Sequence, residues 1–180
     1  MKSKINSSFE IDLVFNYDLK LNKSLFLKEK QDNLIFEKYF WEKVFILWIE
    51  IIINENGSAL PKFILNKKNF SLSFEIIDNK KIANLNENWL NKSGPTDVLS
   101  FPIISEEYGF HNLSFIELGD LFVSLELALN QALDYKHGLK REMLWLASHG
   151  LLHLLGWEHD NNYQLNRMLK LQEYLISKVN

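Results

Sequence analysis

The 180-residue chain contains no cysteine. Disulfides, zinc–thiolate sites and thiol catalysis are therefore excluded, and any transition metal must be held by imidazole and carboxylate. It also lacks an excess of positive charge: the formal net charge is −3. That argues against a generally basic, sequence-indifferent nucleic-acid coat, while a locally basic groove for RNA stays open. Lys2 and Lys4 are followed by no apolar h-region, so a secretory signal is not expected. The most apolar run, residues 44–53, is interrupted by Glu50 and falls far short of a membrane span. It reads as a buried helix, and the cytoplasm is the expected compartment. Against these absences stands an ordinary globular composition, 47% hydrophobic and 24% charged, in a chain of the size of one domain with a proper core.

Residues 11–15 read as a short apolar strand. The stretch 18–33 is rich in Lys, Asn and Leu without a clear period and is expected to be a loop. From 34 to 55, Phe36, Tyr39, Phe40, Val44, Leu47, Trp48 and Ile51 recur at helical spacing, predicting a long helix ended by Asn56-Gly57-Ser58. Residues 70–77 alternate apolar and polar side chains and predict a half-buried strand. Asp78-Asn79 offers a cap for a helix to about residue 90, and Ser93-Gly94-Pro95 a turn. Residues 98–104 and 118–123 are further strand candidates, joined by a polar connection at 109–114. Helices are then expected at 125–135, broken at His137-Gly138, at 139–155 and at about 164–177. Strands first and helices last suit one α+β domain, residues 1–180, with a small sheet covered by helices.

Three of the five histidines fall in one short segment, His149-x-x-x-His153-x-x-Gly156-x-x-His159. His149 and His153 are four apart on a predicted helix and share a face, with Cβ atoms roughly 5–6 Å apart. Two imidazoles so placed can converge on one ion, with Zn–N distances of about 2.0–2.1 Å. If the helix continued, His159 would lie about 15 Å along the axis from His149 and out of reach. Gly156 offers the remedy, because glycine just past a helix end adopts the left-handed conformation that turns the chain back. A lone histidine pair on an apolar helix is more often packing or surface than ligand. The glycine and third histidine shift the reading to a metal site. Three neutral ligands leave a fourth position open, as catalytic zinc sites do, where zinc lowers the pKa of a water to roughly 7. Glu158 either orients a histidine as an acceptor or is a solvated turn carboxylate. The same spacing occurs in metzincin proteases, whose general base follows the first histidine. Here that position is Gly150, which cannot move a proton.

The segment from His149 through His159 (HGLLHLLGWEH) closely resembles the signature of the YbeY family, endoribonucleases that mature ribosomal RNA. That signature reads H-G-x-L-H-L-x-G-Y-D-H, so Trp157 replaces a tyrosine and Glu158 an aspartate. Pro95-Thr96-Asp97-Val98-Leu99-Ser100-Phe101-Pro102, preceded by Leu85-Asn86, is similar to a second family motif. Leu118-Gly119-Asp120 followed by Val123-Ser124 is similar to a third. Between Asn86 and Pro95 the family carries an aromatic, then arginine, glycine and lysine, where this chain has Trp89, Leu90, Asn91 and Lys92. The family arginine is thus absent at Leu90, and leucine cannot clamp a phosphate. Lys92 and Arg141 are candidates to supply its charge, or are plain surface cations.

The resemblance implies an α+β fold with a small mixed four-stranded sheet and the metal helix, near the C-terminus, packed across it. It implies one Zn2+ ion on His149, His153 and His159, with the strand from Val98 to Phe101 nearby. Ser100 and the strand's exposed edge would help hold an extended strand of RNA, unless this segment is simply a buried strand after a proline turn. The implied activity is a zinc-dependent, single-strand-specific endoribonuclease in late small-subunit rRNA 3′ end maturation and ribosome quality control. Its partners would be single-stranded rRNA and the small ribosomal subunit, and Lys92, Arg141 and Ser100 its candidate catalytic residues beside the metal. A second reading, favoured by Leu90, is an assembly factor that binds rRNA or a small-subunit protein without cleaving. A third, a hydrolase of peptides or small amides, is opposed by Gly150.

Overall fold

Alternation in NFSLSFEII buries Phe70, Leu72, Phe74 and Ile76 along one face of strand β2 (Asn69–Ile77). The computed structural model describes residues 8–18, 30–103 and 115–179. Within them, β2 lies between β1 (Glu10–Tyr17) and β4 (Ile116–Ser124), both parallel to it, and β3 (Val98–Pro102) joins β4 antiparallel. The order β1-β2-β4-β3 makes the mixed four-stranded sheet that the family resemblance implies. It leaves β3 at an edge.

Helix α1 (Lys38–Asn56) lays Trp41, Phe45 and Trp48 on that buried face, with the Trp41 and Phe74 rings edge-on at 4.7 Å between centroids. The helical spacing predicted a start at residue 34. Instead a 3-10 segment (Lys30–Phe36) precedes an extended Glu37, and the α-helix begins at Lys38. Ile35 and Phe36 are adjacent and both buried. The extended Glu37 breaks the helical period between this turn and α1, and the Trp41 indole N–H donates to the Ile35 carbonyl at 2.8 Å. Of the expected loop at 18–33, residues 19–29 lie outside the described residues, as do residue 104 and the polar connection at 109–114.

Helix α2 (Asn79–Leu90) is capped by Asp78, whose Oδ1 accepts from the Lys81 N–H at 2.6 Å, as expected of a short acidic side chain at that position. It covers the opposite face through a small cluster of Ile77, Ile82 and Leu99. Helix α3 (Leu125–Asp134) follows β4 directly, with Ser124 as its cap. Helix α4 (Leu139–Leu154) then crosses β3 and β4, and α5 (Asn162–Ser177) packs on α4 from outside. Trp48 Nε1 donates to the Leu175 carbonyl at 2.9 Å and so ties α1 to the end of α5.

Candidate metal centre

Helix α4 approaches the sheet unusually closely at Gly150. A Cβ built there would sit 2.1 Å from Leu121 Cδ1 and 3.3 Å from Val98 Cγ2. Glycine therefore seats the helix, and a side chain at 150 would point into the sheet rather than into open space. The base of a metzincin-like protease is thus missing in substance and has no room. His149 and His153 flank this contact and face outward into a cavity of about 610 Å³.

Gly156 ends the helix as its position promised. It has φ +86°, its N–H donates to the His153 carbonyl at 2.9 Å, and the Trp157 N–H donates to the Leu152 carbonyl at 2.9 Å. These two bonds form a Schellman closure, which satisfies the last carbonyls and reverses the chain. His159 returns to the other two histidines: its ring centroid is 5.3 Å from that of His149 and 5.0 Å from that of His153. One ring nitrogen from each of the three lies within 4.8 Å of the others.

The donor set fits a metal ion. His149 Nε2 and His153 Nε2 are 3.2 Å apart, close to the roughly 3.3 Å between two nitrogens on a tetrahedral ion with bonds of 2.0–2.1 Å. His149 Nδ1 faces the Gln172 Oε1 at 3.1 Å, while the Gln172 amide nitrogen donates to the Trp145 carbonyl at 3.1 Å. The amide oxygen can only accept, so Nδ1 carries the proton and Nε2 keeps its lone pair for an ion. Burial lowers the His149 pKa, with a further push from His159, against the hydrogen bond to Gln172 and the nearby Asp97 charge. Burial, followed by His149 and His159, lowers that of His153 to about 4. Both imidazoles are neutral near pH 7, the state in which they ligate.

Gln172, wholly buried, was not singled out by the sequence reading. A signal existed: it falls on the buried stripe Met168, Gln172, Ile176 of α5, where a lone amide needs a reason. Glu158 takes no histidine as partner among the described residues; it is exposed and lines the cavity.

Of the other candidates, Lys92 and Ser100 line the cavity with the histidines, and Arg141 does not. Arg141 instead makes a two-oxygen contact with Glu173, at 3.0 and 2.9 Å, on an exposed face. Lys92 arrives by way of Asn91, which ends α2 in the left-handed conformation with φ 53°. Asn86 then pins the returning loop by donating to the Gly94 carbonyl at 2.9 Å. Leu90, where the family carries arginine, also lines the cavity. At the sheet edge, Asp97 O accepts from Ser124 N at 2.8 Å and Ile103 N donates to Leu118 O at 3.1 Å. By antiparallel alternation, Val98, Ser100 and Pro102 turn their backbone groups outward. The Asp97 carboxylate takes the Val98 N–H at 2.9 Å. Ser100 then offers an N–H and a carbonyl along an edge that no described strand covers.

A family model described as "Endoribonuclease YbeY" matches residues 28–180. The protein named endoribonuclease YbeY from Prochlorococcus marinus subsp. pastoris is 58% identical over 170 residues, covering 94% of each chain. The one so named from a Synechococcus species is 43% identical over 136 residues, or 76% of this chain and 77% of its own. The solution structure of TM1509 from Thermotoga maritima shares the fold, with a TM-score of 0.52 at 21% identity over 93% of this chain and 89% of that one. Motifs, family match and histidine geometry agree, and this chain belongs to the YbeY family of endoribonucleases.

Proposed function

We propose that the protein is a zinc-dependent endoribonuclease, selective for single strands, that acts on small-subunit ribosomal RNA during 3′ end maturation and ribosome quality control. The observation that carries this reading is the joining of three convergent imidazoles, a strand edge that no described strand covers and a lysine in one open cavity. When bound by His149, His153 and His159, zinc supplies the Lewis acidity that phosphodiester hydrolysis needs at neutral pH. Lys92 neutralises phosphate charge beside the histidines. The Ser100 backbone groups and hydroxyl hold the strand in an extended form, which a duplex cannot adopt at a sheet edge. Trp89, 70% exposed and with its ring 5.9 Å from that of Phe101, offers a face on which an unpaired base can stack. The cytoplasm, where small subunits mature, is the compartment this function requires.

The test is turnover. Purified protein with zinc should cut a single-stranded rRNA fragment, chelator should stop it, and His149→Ala or His153→Ala should abolish both bound metal and cleavage. Full cleavage by a metal-free variant would sink the proposal. Leu90 in the cavity wall favours a second reading, an assembly factor that binds rRNA without cutting it. Tight binding with no chelator-sensitive product would support that one.

A further inference from the structure

A second cavity of about 290 Å³ adjoins the metal pocket and shares Gly156, Trp157 and Glu158 with it. Its remaining lining is Ala59, Gln164 and Arg167. We propose that Arg167, Tyr163 and Trp157 form a subsite here for the phosphate and base of a nucleotide flanking the one at the metal. The proposal rests on the endoribonuclease reading for its ligand, single-stranded RNA.

Three observations point to an anionic, aromatic-stacking ligand. The Arg167 guanidinium lies 5.4 Å from the Trp157 ring and 6.0 Å from the Tyr163 ring. Among the described residues it has no carboxylate partner, whereas Arg141, Lys81 and Lys38 are each paired with a glutamate. Two rings orient the planar cation and leave its N–H fork unspent, the arrangement that recognises phosphate in two-pronged fashion. Second, Trp157 is only 7% exposed and forms part of the wall of both cavities, so the ring that faces Arg167 is fixed beside the metal pocket. Third, Tyr163 is 72% exposed at the start of α5, where its ring can carry a base.

The subsite also bears on the missing arginine. Leu90 leaves the α2 side of the metal pocket without a fork-shaped cation, and Arg167 presents one from the α5 side. Glu158 stands on the shared wall, exposed and without an ion-pair partner among the described residues. Its charge opposes a phosphate. It therefore makes Glu158→Gln a variant that should tighten the RNA.

The experiment is fluorescence anisotropy of a labelled single-stranded oligoribonucleotide with the full chain, in chelator so that the strand stays intact. Arg167→Ala should weaken binding roughly tenfold and Tyr163→Ala about five- to tenfold. Arg167→Lys should fall between, because it keeps charge without the fork. With zinc restored, Arg167→Ala should raise KM and leave kcat within about twofold, as loss of uniform binding does. Wild-type affinity in Arg167→Ala and Arg167→Lys, with unchanged melting temperatures, overturns the subsite even if the wild type cleaves. Arg167-dependent binding by a wild type that does not cleave supports the subsite while the nuclease reading falls.

Discussion

Gln172 holds His149 in one tautomer because its own amide is held in one orientation. The Trp145 carbonyl can only accept, so the amide nitrogen must face it and the oxygen must face His149 Nδ1. Partners of this kind that orient a ligand typically carry a 10–100-fold share of metal affinity. Gln172→Leu, close in volume, should therefore weaken zinc binding by about that factor while the far-UV circular dichroism stays unchanged. Gln172→Glu keeps an acceptor for His149 but loses the donor to the Trp145 carbonyl, so it should lower the melting temperature while losing less zinc affinity than the leucine variant. Competition with a chelating dye measures both affinities. Equal affinity in the wild type and the leucine variant would show that packing alone orients the ring.

At the scale of the element, helix α4 is shaped by two glycines with separate duties. Gly150 sets how near the helix lies to the sheet, and Gly156 sets where it stops. Alanine at 156 meets no close atom, since the nearest is Pro61 at 3.6 Å. Its cost is the left-handed backbone, about 1–2 kcal/mol, or roughly 2–8 °C in Tm for a chain of this size. Because His159 depends on the same turn, Gly156→Ala should lose zinc affinity as well, and Gly156→Asn, which tolerates the conformation, should lose less of both. Gly150→Ala should cost stability through the Leu121 clash, about 1–3 kcal/mol. Zinc binding unaltered in Gly156→Ala, by the same dye competition, would sever the turn from the site. The division between what could be read from the sequence and what could not follows the range of each interaction. The histidines, Gly156 and the alternating strand β2 are governed by neighbours a few residues away, so spacing alone exposes them. Gln172 meets His149 across 23 residues, so the buried stripe of α5 can mark it as an amide in need of a partner without naming that partner, and Arg167 meets Trp157 only because α5 folds back on α4. The start of α1 escaped for a related reason: the chain is extended at Glu37, with the Trp41 indole bonded to the Ile35 carbonyl across it, while the apolar period in the sequence continues without a break.

For the whole molecule, the charge balance limits how RNA can be held. With 20 basic and 23 acidic side chains, there is no general cationic surface, and affinity must come from a few cations beside the histidines. Lys92 in the metal cavity and Arg167 in the adjoining one are the two that line these spaces. Each phosphate neutralised on a single strand contributes about −0.7 to the slope of log Kobs against log salt. Two contacts therefore predict a slope near −1.4, so that raising salt from about 50 to 200 mM weakens binding only roughly sevenfold. Lys92→Met and Arg167→Ala should each flatten the slope by about 0.7, and the double variant should bind with almost no salt dependence. Anisotropy titrations of the same oligoribonucleotide across a salt series decide it. A slope of about −4 or steeper, unmoved by either substitution, would place the strand on some other basic surface. The histidine cavity could then be reached only by a strand whose affinity is set elsewhere, and single-strand selectivity would no longer follow from the open edge of β3.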